Sequence, residues 1–288
     1  MRSLAMLLCL CAAPAVLAQT VIREPITEGE RGKLDAFING REILKISDFG
    51  SMQLDSVGPV EHFIFRKAVL LGGLDARFEN FLVPNSARAR ELVASGAVCC
   101  SGAAQWHLYF QKDAERMFES DEVIGQGGYE KGLYTTKENL ARLKLARAED
   151  LRALRAVSSN TWVIDWGTLE RLPFRALYSA PTRPQQFSMV KFGRADVTLQ
   201  DFTANPGMSA EEQGVTLYPV PGVKIALLGT RHFFISRTHP DGPKIYEALQ
   251  KGLRVMRQSG ELRRILVDSG FINRHVRDWT LLNPQTGG

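Results

Sequence analysis

The chain has 288 residues, with 36 Lys and Arg against 31 Asp and Glu, a formal net charge of +5 and 44% hydrophobic residues. The basic residues are interspersed with acids rather than gathered on one face, which excludes the electrostatic footprint of a nucleic-acid-binding protein. The apolar core near the start, Leu4 to Cys11, is far short of the roughly 20 residues that a membrane-spanning helix needs, and no later stretch approaches that length without a charge.

Met1-Arg2 is a positive start, Leu4 to Cys11 is apolar, and Val16-Leu17-Ala18 is a small-residue site before Gln19. That is the layout of a secretory signal peptide, so residues 1–18 are expected to be removed and the mature chain to act in the periplasm. The remaining length suits two medium domains, at roughly 100–200 residues each. Cys99 and Cys100 are then the remaining cysteines. Neighbours in a strand point to opposite faces, and they are read as reduced and buried, with no zinc-type ligand spacing around them.

Residues 21–42 are polar and charged, with Pro25, Gly29 and Gly32, and read as a leader, placed at 19–39 in the domain division, that packs loosely on the body. Ile43 to Ser47 is expected to be the first strand, and Phe63 to Leu71 the first helix, stopped at Gly72-Gly73. Ala76 to Val83 reads as a second strand. A helix from Ser86 to a stop at Gly96 delivers the chain to a short buried strand at Ala97-Val98-Cys99-Cys100. Strand, helix, strand, helix, strand points to a mainly parallel sheet covered by helices.

Gly125-Gln126-Gly127-Gly128 is a turn, and Leu133 to Thr136 an extended crossing segment. Residues 137–155 favour a helix. Trp162-Val163-Ile164 is expected to start a strand running into a turn at Asp165-Trp166-Gly167-Thr168-Leu169-Glu170, where Gly167 would allow close backbone approach and Thr168 would cap the following helix. Unsatisfied N–H groups at such a helix start favour anions. A helix ending at Phe192 leads through Gly193-Arg194 into a strand that reaches Asp201. His232 to Ser236 is the return crossing, and two helices follow, with Ile245, Leu249, Leu253 and Met256 in the first and Leu262, Ile265 and Leu266 in the second at helical spacing.

Several of these segments resemble type 2 periplasmic solute-binding proteins, the extracellular family 3 that serves amino-acid ABC transporters. Phe192 to Phe202 is similar to the family's "GR-x-D-x-x-x-x-D" turn and strand, with Asp196 and Asp201 at the acidic positions. Pro84 to Gly96 resembles the helix before its third strand, although the Asp that usually follows the glycine is absent. Asp113 to Asp121 resembles "T-x-x-R … F-S-x-P" without its proline, and Asp165 to Glu170 resembles "G-x-x-x-G-T-x-x-E". Gly252-Leu253, Met256, Ser259-Gly260 and Ile265 match the family's C-terminal pattern.

The resemblance implies an α/β fold of two lobes, each a mainly parallel sheet flanked by helices, joined by two crossing strands. Lobe one would be residues 40–133 plus 231–288, and lobe two 134–230. It implies capture of a small polar solute, an amino acid or related zwitterion or organic acid, in the cleft between lobes, for an ABC-type permease. Arg116 would fork onto a ligand carboxylate, Gly167 and Thr168 would add an anion-binding turn, and Asp201 would hold an amino group. Trp106, Tyr109 and Trp166 would be aromatic walls.

The alternative is an accessory or sensor protein of the same fold that docks on a periplasmic partner protein. An enzyme would need a general acid or base in the cleft. His107 and His232 qualify by location only, so the chain is read as a non-enzyme, monomeric, without cofactor, metal or nucleic-acid partner.

Overall fold

The computed structural model describes residues 19–50 and 57–283. The signal-peptide reading of residues 1–18 lies outside them. No helix of the described residues is long and apolar enough to cross a membrane.

Regular structure begins at once, which corrects the reading of a loose leader. Strand β1 (Thr20–Ile26) is followed by helix α1 (Glu28–Ile38), opened by a capping box in which Thr27 and Glu30 satisfy each other's backbone N–H groups. Ile22 and Ile26 are fully buried, and so is Glu24. The strand expected at 43–47 is instead a short 3-10 turn at Ile43–Lys45; an apolar run that short carries no decisive period.

Helix α2 (Gly58–Leu71) is buried nearly all round, from Pro59 to Val69, so it is the central helix of the first lobe. Strand β2 (Ala76–Leu82) pairs with β1 in parallel, Thr20 facing Ala76 and Ile26 facing Leu82. Helix α3 (Ser86–Ala94) is capped by Asn85, whose Oδ1 accepts the Arg88 N–H at 2.9 Å. Val98, Cys99 and Cys100 are buried as expected, Ala97 is exposed, and the stretch is not a strand: only Cys100 bridges, to Ile235. Cys99 and Cys100 are free thiols with sulfurs 3.6 Å apart, and burial pushes the Cys100 thiol well up.

Strand β3 (Gln105–Trp106), helix α4 (His107–Phe110) and strand β4 (Met117–Glu119) complete the first pass of this lobe. The chain then enters the larger sheet through β5 (Glu130–Thr135). Residues 137–155 are not one helix: α5 (Lys137–Leu140) is a single turn, a 3-10 turn covers Ala148–Ala153, and Arg155–Ser158 is strand β6. Helix α6 (Val163–Glu170) occupies the segment read as a strand and turn.

Strand β7 (Ala176–Ser179), helix α7 (Arg183–Lys191) and strand β8 (Val197–Gln200) follow. Next come β9 (Ala210–Glu212), β10 (Val215–Pro219) and β11 (Val223–Ala226). The β6 strand pairs in parallel with β7 and β8, and β5 runs antiparallel to β8 and β11. All four residues of β8 and of β11 are buried, the pattern of strands covered on both faces.

The return passes through β12 (Arg231–His232) and β13 (Phe234–Ser236), antiparallel to β3 and β4. The two passages between lobes run side by side: Leu227 N–H donates to Tyr129 O at 2.8 Å, and Val123 N–H to Arg231 O at 2.7 Å. The outward crossing thus precedes Leu133, which lies inside β5.

Helix α8 (Gly242–Gln258) buries Ile245, Leu249, Leu253 and Met256 along one side, and α9 (Glu261–Asp268) buries Leu262, Ile265 and Leu266. Helices α8 and α2 cross at glycines: a Cβ on Gly252 would overlap the Ala68 carbonyl, and one on Gly72 the Ala248 carbonyl. Backbone atoms cannot step aside as a flexible side chain can, so the close crossing depends on these two residues. Strand β14 (Thr280–Leu281) then pairs with β11 and so joins the larger sheet.

Candidate functional site

A cavity of about 560 Å³ opens between the lobes. Its first wall comes from α2, α3, β3 and β12, through Glu61, Arg90, Gln105, Trp106 and Arg231; its second is the start of α6, from Thr161 to Asp165.

Pairing of β3 with β12 sets Arg231 opposite Trp106. The Arg231 guanidinium donates to both oxygens of buried Glu61, at 2.7 and 2.8 Å, and to Ala104 O at 2.6 Å, while lying 4.7 Å from the Trp106 ring centre. A forked pair of this kind is rigid as well as strong. Every donor it uses is committed within the protein, so Arg231 holds Trp106 in place.

Arg90 is different. It projects from α3, donates to Gln105 Oε1 at 2.8 Å and stacks 4.0 Å from the Tyr109 ring centre. Among the described residues it has no carboxylate within ion-pair distance, and burial pulls its guanidinium down. Asn85, Ser86 and Ala87 at the start of α3 line the same cavity, so a charged fork and a helix N-terminus face one space.

The opposite wall carries Asp165, and behind it Lys131 donates to Asp165 Oδ1 at 2.6 Å and lies 3.5 Å from Asp201 Oδ1. Burial alone would lower the lysine, but the two carboxylates more than offset it and raise it. The Tyr129 hydroxyl donates to Asp201 Oδ1 at 3.0 Å. Burial, then the Asp201 charge, push this phenol well above its ordinary value, so it remains a donor. One ammonium serves two carboxylates, and this side carries surplus negative charge.

The residues singled out from sequence are dispersed. Trp106 lines the cavity and packs against Tyr129 with ring centres 5.5 Å apart; Tyr109 lines it too. Asp201 follows β8 with its side chain 46% exposed, beside the cavity residue Asp165 through their shared lysine. Arg116 points outward: its side chain is 66% exposed, 3.9 Å from Asp113. Its expected role fails because spacing within a turn does not fix the direction of a side chain.

Thr168 and Gly167 lie inside α6, not at its start. The Thr168 hydroxyl donates to Ile164 O at 2.7 Å and accepts the Leu228 N–H at 3.2 Å, so it ties the helix to the segment between β11 and β12 instead of meeting a ligand. Trp166 donates from its indole N–H to Glu170 Oε1 at 2.6 Å, on the same helix and off the cavity wall. The shift arises because the strand expected at Trp162 is β6, ending at Ser158. The turn after it is closed by Ser159 Oγ, 2.7 Å from Thr161 Oγ1.

Sequence reasoning missed Glu61, Arg90, Tyr129, Lys131, Asp165 and Arg231. One signal exists: α2 sets Glu61, His62, Arg66 and Lys67 among Val60, Phe63, Ile64, Phe65 and Val69, and charged groups in so apolar a helix demand partners.

No protein-family model matches the chain, and no curated protein matches it by sequence. Its structure is similar to the periplasmic VFT2 domain of BvgS from Bordetella pertussis, at TM-score 0.53 and 15% identity over 85% of this chain and 92% of that one. It is also similar to substrate-binding domain 2 of GlnP from Lactococcus lactis, in an open conformation, at TM-score 0.52 and 12% identity over 88% and 95%. A third is the second substrate-binding domain of a putative amino-acid ABC transporter from Streptococcus pneumoniae, at TM-score 0.51 and 13% identity over 87% and 99%. The chain therefore has the two-lobed α/β fold of the type 2 periplasmic solute-binding proteins.

Proposed function

We propose that the protein captures a small zwitterion, of the size and charge of an amino acid, in the cleft between its lobes. The observation that carries this is the separation of unpaired charge. Arg90 and the start of α3 offer a positive fork on one wall, while Lys131 leaves the Asp165 and Asp201 pair short of one cation on the other. A carboxylate would meet Arg90 and an ammonium would meet Asp165 and Asp201, with Trp106 and Tyr109 as the apolar sides. The proposed carboxylate anchor is thus Arg90 in place of Arg116.

Capture would take place outside the cytoplasmic membrane, after export directed by residues 1–18, by a monomer that hands its solute to a permease and performs no chemistry on it. Lobe one, residues 40–133 plus 231–288, is extended in this reading by β1 and α1, which pack on α2 and β2; lobe two is 134–230, joined by β5 and the terminal β14. Ligand contacts on both walls would favour the closed arrangement, since only contacts made better on closing can shift that balance.

The test is tryptophan fluorescence, because Trp106 and Trp162 both line the cavity. Titration with α-amino acids is expected to give a saturable change. The matching amines without the carboxylate, and the matching acids without the amine, should each bind at least ~30-fold more weakly, the equivalent of about 2 kcal/mol per lost charge contact. Equal affinity for an amino acid and its decarboxylated amine would rule out Arg90 as an anion anchor.

A further inference from the structure

Three side chains outside the cleft converge at the return crossing. His107 opens α4, Glu119 ends β4 and His232 lies on β12. His107 Nδ1 is 2.8 and 2.9 Å from the two Glu119 oxygens, His232 Nε2 is 3.9 Å from Glu119 Oε1, and one ligand atom from each residue lies within 4.8 Å of the others. Among the described residues Glu119 has no Lys or Arg within ion-pair distance, although its side chain is only 15% exposed. It is held by imidazoles alone.

The tautomer of His232 is set by its surroundings. Ser120 O can only accept and lies 2.8 Å from Nδ1, so Nδ1 carries the hydrogen. Nε2 then presents its lone pair toward Glu119, at present shared with the Thr230 hydroxyl at 2.7 Å. A metal-binding histidine is oriented in this way, one ring nitrogen donating to a backbone carbonyl and the other ligating.

We propose that His107, Glu119 and His232 bind a divalent transition-metal ion of the zinc type. Bonds of about 2.0–2.2 Å in a tetrahedral site put ligand atoms roughly 3.3 Å apart. The His107 to Glu119 separation must therefore open, and the His232 to Glu119 separation close, by about half an ångström each. His107 is at the surface, its side chain 45% exposed, which gives the ion an entry path and leaves a fourth position for water. Two imidazoles and one carboxylate suit zinc and its neighbours rather than magnesium or calcium, which want mostly oxygen ligands. The ion would join α4, β4 and β12 beside Trp106 and Arg231, stiffening the first wall of the cleft, and its binding does not depend on the solute assigned to that cleft.

The test uses chain purified without an affinity tag, stripped with a chelator, equilibrated with zinc and desalted, with metal measured by mass spectrometry and affinity by chelator competition. One retained equivalent per chain is expected, undisturbed by excess magnesium. His107→Ala, Glu119→Gln and His232→Ala should each weaken it by about 100-fold or more, the loss of a ligand exceeding the 10–100-fold known for outer-shell partners. His107→Ala is the decisive variant, because an exposed side chain can be truncated without threatening the fold. No retained equivalent in the wild type, or an equivalent that survives His107→Ala unchanged, would overturn the proposal.

Discussion

Replacing Glu24 with alanine is expected to lower the stability of the chain by about 3–5 kcal/mol, the usual cost of leaving one member of a buried ion pair uncompensated. Glu24 is fully buried in β1, and its two oxygens accept from His62 Nδ1 and, at 2.7 Å, from Arg66 Nε. Arg66 passes the link on to Asn80 Oδ1 at 2.6 Å. One carboxylate thus fastens β1 to α2 and, through Asn80, to β2. Burial acts to raise Glu24, but Arg66 and then His62 outweigh it and hold the carboxyl below its ordinary value.

The sign of the pH dependence follows. A depressed folded-state value means that the contribution is fully present above the unfolded value, near 4.3, and is lost as pH falls through the lower folded one. At neutral pH the midpoint of thermal unfolding of Glu24→Ala should fall by roughly 6–20 °C, at about 2–4 °C per kcal/mol for chains near this size. The gap to wild type should narrow once the pH drops below the unfolded value. A fall of under ~2 °C at neutral pH would mean that the buried pair is replaceable by apolar contact.

The second large effect is on binding. Arg90→Ala should weaken an amino-acid ligand by about 2–5 kcal/mol, the cost of truncating one side of a buried charge contact, or roughly 30- to 5,000-fold. Its effect on stability should be small, because the contacts it forms within the chain are one hydrogen bond to Gln105 and the stack on Tyr109. Arg90→Lys keeps the charge but loses the two-pronged geometry, and should recover only part of the affinity by calorimetric titration. An unchanged dissociation constant in Arg90→Ala would remove that wall from the site.

The parts of the fold that were legible in the sequence are those with strong punctuation. Helix α2 ends at Gly72-Gly73, α3 lies between Asn85 and Gly96, and α8 repeats Ile245, Leu249, Leu253 and Met256; glycine stops and regular apolar spacing are local signals. The first strand was hidden because Arg23, Glu24 and Pro25 look like solvent-facing residues. The partners that make Glu24 a core residue, His62 and Arg66, are 38 and 42 positions away.

The same limit explains the site. Trp106 is readable as a candidate aromatic wall, but Arg90 is one more charge on a helix until Gln105 and Tyr109 fold against it. Thr168 was displaced into α6 because Trp162-Val163-Ile164 fits strand and helix equally, and only the pairing of β6 with β7 and β8 decides. Arg116 kept its place in the spacing yet turned to solvent.

The most direct test of solute capture is thermal unfolding of the chain against a panel of amino acids, polyamines, organic acids and sugars. A ligand present at about 100 times its dissociation constant adds roughly 2.7 kcal/mol, so at least one amino acid should raise the midpoint by about 5–10 °C while sugars leave it unmoved. A midpoint that stays constant across the whole panel would contradict the account, and would turn the search toward a protein partner docking on the same fold.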